Sequence, residues 1–219
     1  MFTDVKAVIF DLDGLMFDTE SVGHIALKRA LAEMGYSLPV EVFNLSIGRT
    51  ANNTRNQLRT EFGEQFDADR AVALQAVYMD EELETNGLAH KPGLHELLDF
   101  LDARHLSKAV ASSSPRPYVI LRLLHAAIDK RFDAIVCGDE IEHGKPAPDI
   151  FLKAASLLDV NPAHCLVLED SDAGVRAAHA AAMRVIMVPD ILSPSEEIQP
   201  LATTVCSSLH DVPGLLANA

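Results

Sequence analysis

Two aspartates separated by one residue, Asp11 and Asp13, end the apolar run Ala7-Val8-Ile9-Phe10 and are followed by Gly14. Carboxylates so close together repel each other and need a cation, a shared proton, or both. Polar groups able to balance them recur at the ends of other short apolar runs. Ser112, Ser113 and Ser114 follow Ala109-Val110-Ala111, and Lys145 lies in the loop after Ala134-Ile135-Val136-Cys137. Glu169-Asp170 closes Cys165-Leu166-Val167-Leu168. An acidic set with one lysine and a hydroxyl suits a hard divalent cation with oxygen ligands, magnesium first among them. A carboxylate can also attack phosphorus and carry the phosphoryl group as an aspartyl phosphate. Such a transfer depends on a metal and a lysine to neutralise the phosphoryl oxygens. The roles then divide. Asp11 is the expected nucleophile and Asp13 the general acid and base. Asp170 holds the metal with Asp11, while Lys145, Ser112 and the neighbouring Ser113 grip the phosphoryl group.

For these groups to meet, the runs that precede them must be parallel strands, because parallel strands deliver their carboxyl ends to one edge of a sheet. From Lys91 onward the chain alternates accordingly. Strands are predicted at Lys108–Ala111, Phe132–Cys137, Cys165–Leu168 and Arg184–Val188, with a weaker one at Thr203–Cys206. Helical periodicity separates them, carried by Leu94, Leu97, Leu98 and Leu101 and again by Ile120, Leu123, Leu124 and Ala127. Pro92 reads as part of a first helical turn, Ser114 as an N-cap before Pro115, and Ser171 as the cap of the alanine-rich helix that follows it. The fold class is therefore α/β, a Rossmann-like parallel sheet covered by helices. Between Gly14 and His90 the patterns are helical. Leu27, Ala30, Leu31 and Met34 mark one helix that stops at Gly35, and two more are expected at 52–62 and 67–83. That is far longer than a simple crossover connection. The predicted organisation is a core domain of residues 1–15 and 91–219 and an inserted helical cap domain of residues 16–90.

Composition narrows the partners. With 48% apolar and 23% charged residues the chain is of ordinary globular type, and no run is long enough to cross a bilayer. A net charge of −14 argues against nucleic acid, whose binding is dominated by lysine and arginine contacts to phosphate. Cys137, Cys165 and Cys206 are widely spaced, without metal-ligand or disulfide spacing, and are expected in the core. No signal-like segment precedes the first strand, so a cytoplasmic protein is expected. Neither a nucleic-acid nor a membrane partner is expected, and the chain reads as a monomer or weak homodimer. Of nine scattered histidines, only His143 falls near the expected site.

Asp11-Leu12-Asp13-Gly14, Ser112, Gly144-Lys145-Pro146 and Leu168-Glu169-Asp170-Ser171 resemble, in order and spacing, the four motifs of the haloacid dehalogenase superfamily. The likeness covers the whole chain and is to the branch of sugar-phosphate phosphatases and β-phosphoglucomutase, with its helical cap after the first strand. The resemblance implies that Asp13 also gives its backbone carbonyl to magnesium and that Glu169 and Asp170 together complete the metal site. It implies phosphoryl transfer rather than carbon–halogen cleavage, because dehalogenase-type members lack the second acid. Ile47-Gly48-Arg49-Thr50 is similar to a cap loop whose arginine contacts substrate. The mutases carry a histidine soon after the Asp-Thr pair and a lysine on a later cap helix. Here Gly23 occupies the histidine position by spacing, with His24 one residue off, and no lysine lies between Lys28 and Lys91. The expected activity is therefore magnesium-dependent hydrolysis of a small phosphorylated metabolite, a sugar phosphate foremost, with a phosphomutase as the alternative. A signalling receiver domain uses similar groups, but it has neither the second acid at this spacing nor a helical insertion before its second strand. Leu15–Glu20 and His90–Pro92 join insertion and core and are the expected hinges.

Overall fold

A computed structural model describes residues 2–39, 42, 51–191 and 193–217. The chain forms two compact units, Asp18–Ala89 and the combination of Met1–Phe17 with His90–Ala219. The first strand, β1 (Ala7–Phe10), is buried at every residue, as a run that is apolar on both faces requires.

The inserted unit contains α1 (Thr19–Glu33), α2 (Ala51–Phe62) and α3 (Ala68–Asn86). Asp18 and Asp67 cap α1 and α3 by accepting from the amides of Ser21 and Arg70. Gly35, at φ +84°, follows the end of α1, a conformation that favours glycine. Leu27 and Leu31 pack with Leu58, Phe66, Ala68 and Ala71 in the core of this unit. On α3 the buried residues are Ala68 and Ala71, whereas Ala76 is exposed.

The larger unit continues with α4 (Leu94–Ala103), β2 (Ser107–Ser112), α5 (Arg116–His125) and β3 (Ala134–Cys137). Then come α6 (Asp149–Leu157), β4 (Cys165–Glu169), α7 (Asp172–Ala180), β5 (Arg184–Met187), β6 (Thr204–Val205) and α8 (Val212–Ala217). All strand pairs are parallel, in the order β3-β2-β1-β4-β5-β6. The order reverses at β1 and β4, the topological switch point where doubly wound sheets place their ligands. Register levels the strand ends there, with Phe10 opposite both Val110 and Leu168. Asp11, Ser112 and Glu169 are thus delivered to one edge.

Two local readings are corrected. Ser114 does not cap α5: the cap residue is Pro115, without a side-chain cap bond, because the Ser114 hydroxyl is drawn to Asp13. Pro92 lies outside α4, whose cap is Gly93 at φ +91°. A Cβ on Gly93 would stand 2.3 Å from the amide nitrogen of His210. The two connecting segments lie side by side: Lys91 N–H donates to Met16 O and Asp18 N–H to Ala89 O, both at 2.9 Å. Phe17 and His90 form an antiparallel bridge between them.

Gly93→Ala combines a left-handed backbone with a steric overlap. The conformation alone costs an alanine about 1–2 kcal/mol, so the variant should unfold at lower urea with an unchanged denaturant slope. An unshifted midpoint would show that the loop before α8 yields freely.

Candidate active site

Asp11 follows β1 directly, and its N–H still donates to Leu168 O of β4 at 3.0 Å. The ladder thus runs one residue beyond the strand and fixes the direction of the side chain. Its carboxylate pairs through Oδ1 with the ammonium of Lys145. The same ammonium donates to Glu169 Oε1 at 2.5 Å and to Ala111 O at 3.2 Å. A lysine has three N–H donors, and here each meets an acceptor from a different strand or strand end. Exposure of the Lys145, Asp11 and Glu169 side chains is 5%, 9% and 0%, so water screens the cluster little. Burial pushes the Asp11 carboxyl up, to about 8; Lys145 opposes that effect, and the neighbouring carboxylates of Glu169 and Asp13 add to it. Burial by itself would lower the Lys145 ammonium, but Asp11 and Glu169 override it and hold the group well above its usual range.

Glu169 is held on its other oxygen as well. Oε2 accepts from the amides of Asp170 and Ser171, both at 3.0 Å, and from the Ser171 hydroxyl at 2.9 Å. Ser171 in turn caps α7, accepting from Gly174 N–H at 3.1 Å. A Cβ on Gly174 would overlap the Glu169 carboxylate at 1.8 Å, so glycine is what lets the helix start so near a buried acid. Gly14, at φ +84°, plays a matching part: a Cβ there would lie 2.2 Å from Asp170 Oδ2. The buried Asp170 carboxylate is thereby brought against the loop that carries Asp11 and Asp13.

Asp13 has different partners. Its Oδ1 is paired with the guanidinium of Arg122 on α5, and its Oδ2 accepts from Ser114 Oγ at 2.8 Å and Ser112 Oγ at 3.3 Å. Ser112 is fully buried and also accepts from Ser114 N–H at 3.0 Å. Ser113 is exposed, and its carbonyl packs where only a glycine, Gly138, leaves room. His143 is exposed beside Asp149. Cys137 and Cys165 are buried and Cys206 half-buried. Arg49 lies outside the described residues. Arg122 escaped the sequence reading, which gave Ser114 only as a strand-end hydroxyl and a cap. The one signal for Arg122 is its position on the helix face otherwise formed by Val119 and Leu123, since arginine is rarely buried without a partner.

Among the described residues, no group of three histidine, cysteine or acidic side chains is arranged to hold a metal. Magnesium does not require one: it binds through one or two carboxylates and keeps several waters. The all-oxygen donor set of Asp11, Glu169 and Asp170 suits that demand, and Glu169 has protein partners on both of its oxygens.

A parallel sheet with buried acids and a lysine at its switch point defines an α/β enzyme core. The chain belongs to the haloacid dehalogenase-like hydrolases, whose family model matches residues 8–188. Enzymes of that superfamily generally use a divalent metal. The chain is 30% identical over 199 residues to a phosphorylated carbohydrates phosphatase of Thermotoga maritima, spanning 83% of this chain and 84% of that one. It is 38% identical over 192 residues to Protein SUPPRESSOR OF QUENCHING 1, chloroplastic, of Arabidopsis thaliana, covering 86% of this chain but only 18% of that longer protein. The solved β-phosphoglucomutase of Clostridium difficile superimposes with a TM-score of 0.77 at 25% identity, over 95% of this chain and 93% of that one.

Lys145→Met would leave two buried carboxylates facing each other. Removing one member of a buried ion pair costs roughly 3–5 kcal/mol, and denaturant unfolding in metal-free buffer should show a loss of that order. Unchanged stability would mean that the ammonium is not their counter-charge.

Proposed function

We propose that the protein is a magnesium-dependent phosphatase of a small phosphorylated metabolite, a sugar phosphate foremost, working through an aspartyl phosphate on Asp11. The observation that carries this reading is the separation of the two acids, Asp11 toward Lys145 and Asp13 toward Arg122 and the serines. One acid would bond to phosphorus while the other moves protons. Asp11, Glu169 and Asp170, with the backbone carbonyl of Asp13, would hold the metal, and Glu169 also fixes Lys145 and the start of α7. Bound there, a magnesium ion would neutralise phosphoryl oxygens and favour the ionised form of Asp11.

In the first half-reaction Asp11 attacks phosphorus and the ester bond breaks, with Asp13 giving its proton to the departing alkoxide. Asp13 then removes a proton from water, whose oxygen displaces Asp11 and frees inorganic phosphate. Lys145 remains charged throughout and offers its positive charge to the phosphoryl oxygens. Ser112, and with it Ser113, is a proposed contact for the phosphoryl group, and Arg49 a proposed substrate contact. The reading also carries a cytoplasmic, monomeric or weakly dimeric protein. Among the described residues no helix is long and apolar enough to cross a membrane.

The second reading is a phosphomutase, favoured by the likeness to β-phosphoglucomutase. Against it stand Gly23 at the histidine position and the lysine-free stretch between Lys28 and Lys91.

A panel of phosphorylated metabolites with magnesium should release inorganic phosphate. Asp11→Asn should reduce that release by roughly a thousandfold or more, as loss of a covalent nucleophile does. Chelation by EDTA should abolish it, and added magnesium restore it. Persistence in Asp11→Asn would overturn the covalent route. A hexose 1-phosphate that isomerises with a trace of bisphosphate, without releasing phosphate, would establish the mutase.

A further inference from the structure

Arg122 is the charged member of the buried face of α5, and its side chain is only 10% exposed. It reaches across 109 residues of sequence to Asp13 Oδ1, while Ser114 and Ser112 take Oδ2. The two oxygens of Asp13 therefore differ in what they can do. A guanidinium only donates and is not deprotonated in proteins, so the oxygen facing it is held as an acceptor. A serine hydroxyl both donates and accepts, so the oxygen facing Ser114 can gain and lose a proton with its partner still bonded.

We propose that Arg122 is a positioning residue for the proton transfers at Asp13: it anchors Oδ1 and thereby makes Oδ2 the oxygen that carries the proton. The inference rests on the assignment of Asp13 as general acid and base made above. In the first step the Oδ2 proton passes to the ester oxygen as the ester bond to phosphorus breaks and the bond from Asp11 forms. In the second, water oxygen bonds to phosphorus, one water proton goes to Oδ2, and the electron pair of the Asp11–phosphorus bond returns to Asp11. Arg122 itself exchanges no proton. Its part is geometric. The guanidinium on Oδ1, with the hydroxyls on Oδ2, stops the carboxylate from turning about its last bond, so the same oxygen serves both steps. Lysine keeps the charge but not the plane, and glutamine keeps a donor but not the charge.

The test compares phenyl phosphate with p-nitrophenyl phosphate, esters of nearly equal size that differ in how much the leaving oxygen needs a proton. In each case kcat/KM reports the step that breaks the ester bond. Positioned proton transfer contributes at least a hundredfold, so Arg122→Gln should lower kcat/KM for phenyl phosphate roughly 10- to 100-fold, and for p-nitrophenyl phosphate about threefold or less. Arg122→Lys should fall between Arg122→Gln and the parent chain, with the same selectivity. Asp13→Asn, measured alongside, should show the selectivity more strongly. If Asp13→Asn depresses both esters equally, the assignment of Asp13 fails, and with it the basis of the proposal. If Asp13→Asn is selective but Arg122→Gln depresses both esters equally, or neither, the role of Arg122 is overturned while that of Asp13 stands. Should Arg122→Gln not fold, Arg122→Lys decides in the same way: selective loss supports positioning, and equal or absent loss overturns it.

Discussion

The buried ammonium of Lys145 is the interaction on which the site depends. It joins Asp11 at the end of β1, the Ala111 carbonyl of β2 and Glu169 at the end of β4. Three strands are thereby tied at one edge by three hydrogen bonds from one group, and none of the donors is left unmet. Two carboxylates this deep and this close call for a counter-charge or a shared proton, and Lys145 supplies the counter-charge. An arginine would not serve equally, since its planar fork cannot direct donors along three divergent directions.

Neutralising the cluster has a structural consequence. Glu169 turns its second oxygen to the amides that open α7, so the acid that faces Lys145 also starts a helix. Two glycines make this close packing possible, Gly174 against Glu169 and Gly14 against Asp170. The spaces a side chain would occupy are filled by the carboxylates of Glu169 and Asp170.

Asp11 and Asp13 stand two residues apart yet belong to separate electrostatic environments. The first is held by lysine and by the continuing strand ladder. The second has left the strand and is met by an arginine from one helix and by hydroxyls from the end of β2. That separation gives each carboxylate a counter-charge of its own.

Much of this could be read from the chain alone. The apolar runs marked the strands because a parallel sheet buries both faces of each one, and the acids, serines and lysine stood at their ends. Periodic leucines located the helices, and Ser171 was legible as a cap because capping is a contact within three residues. Other features could not be read, and the reason is distance along the chain. Ser114 has every local mark of a cap, yet its hydroxyl serves an aspartate 101 residues away. Arg122 has no local mark of a site, and its partner Asp13 lies 109 residues away, beyond the end of β1. Lys145 and Asp11 are separated by 134 residues, and the pairing of β3 with β2 and of β2 with β1 brings their strand ends to one edge. Local spacing specifies which groups are present and which element carries each. Which oxygen faces which donor depends on how the strands align, and that follows from packing the whole sheet.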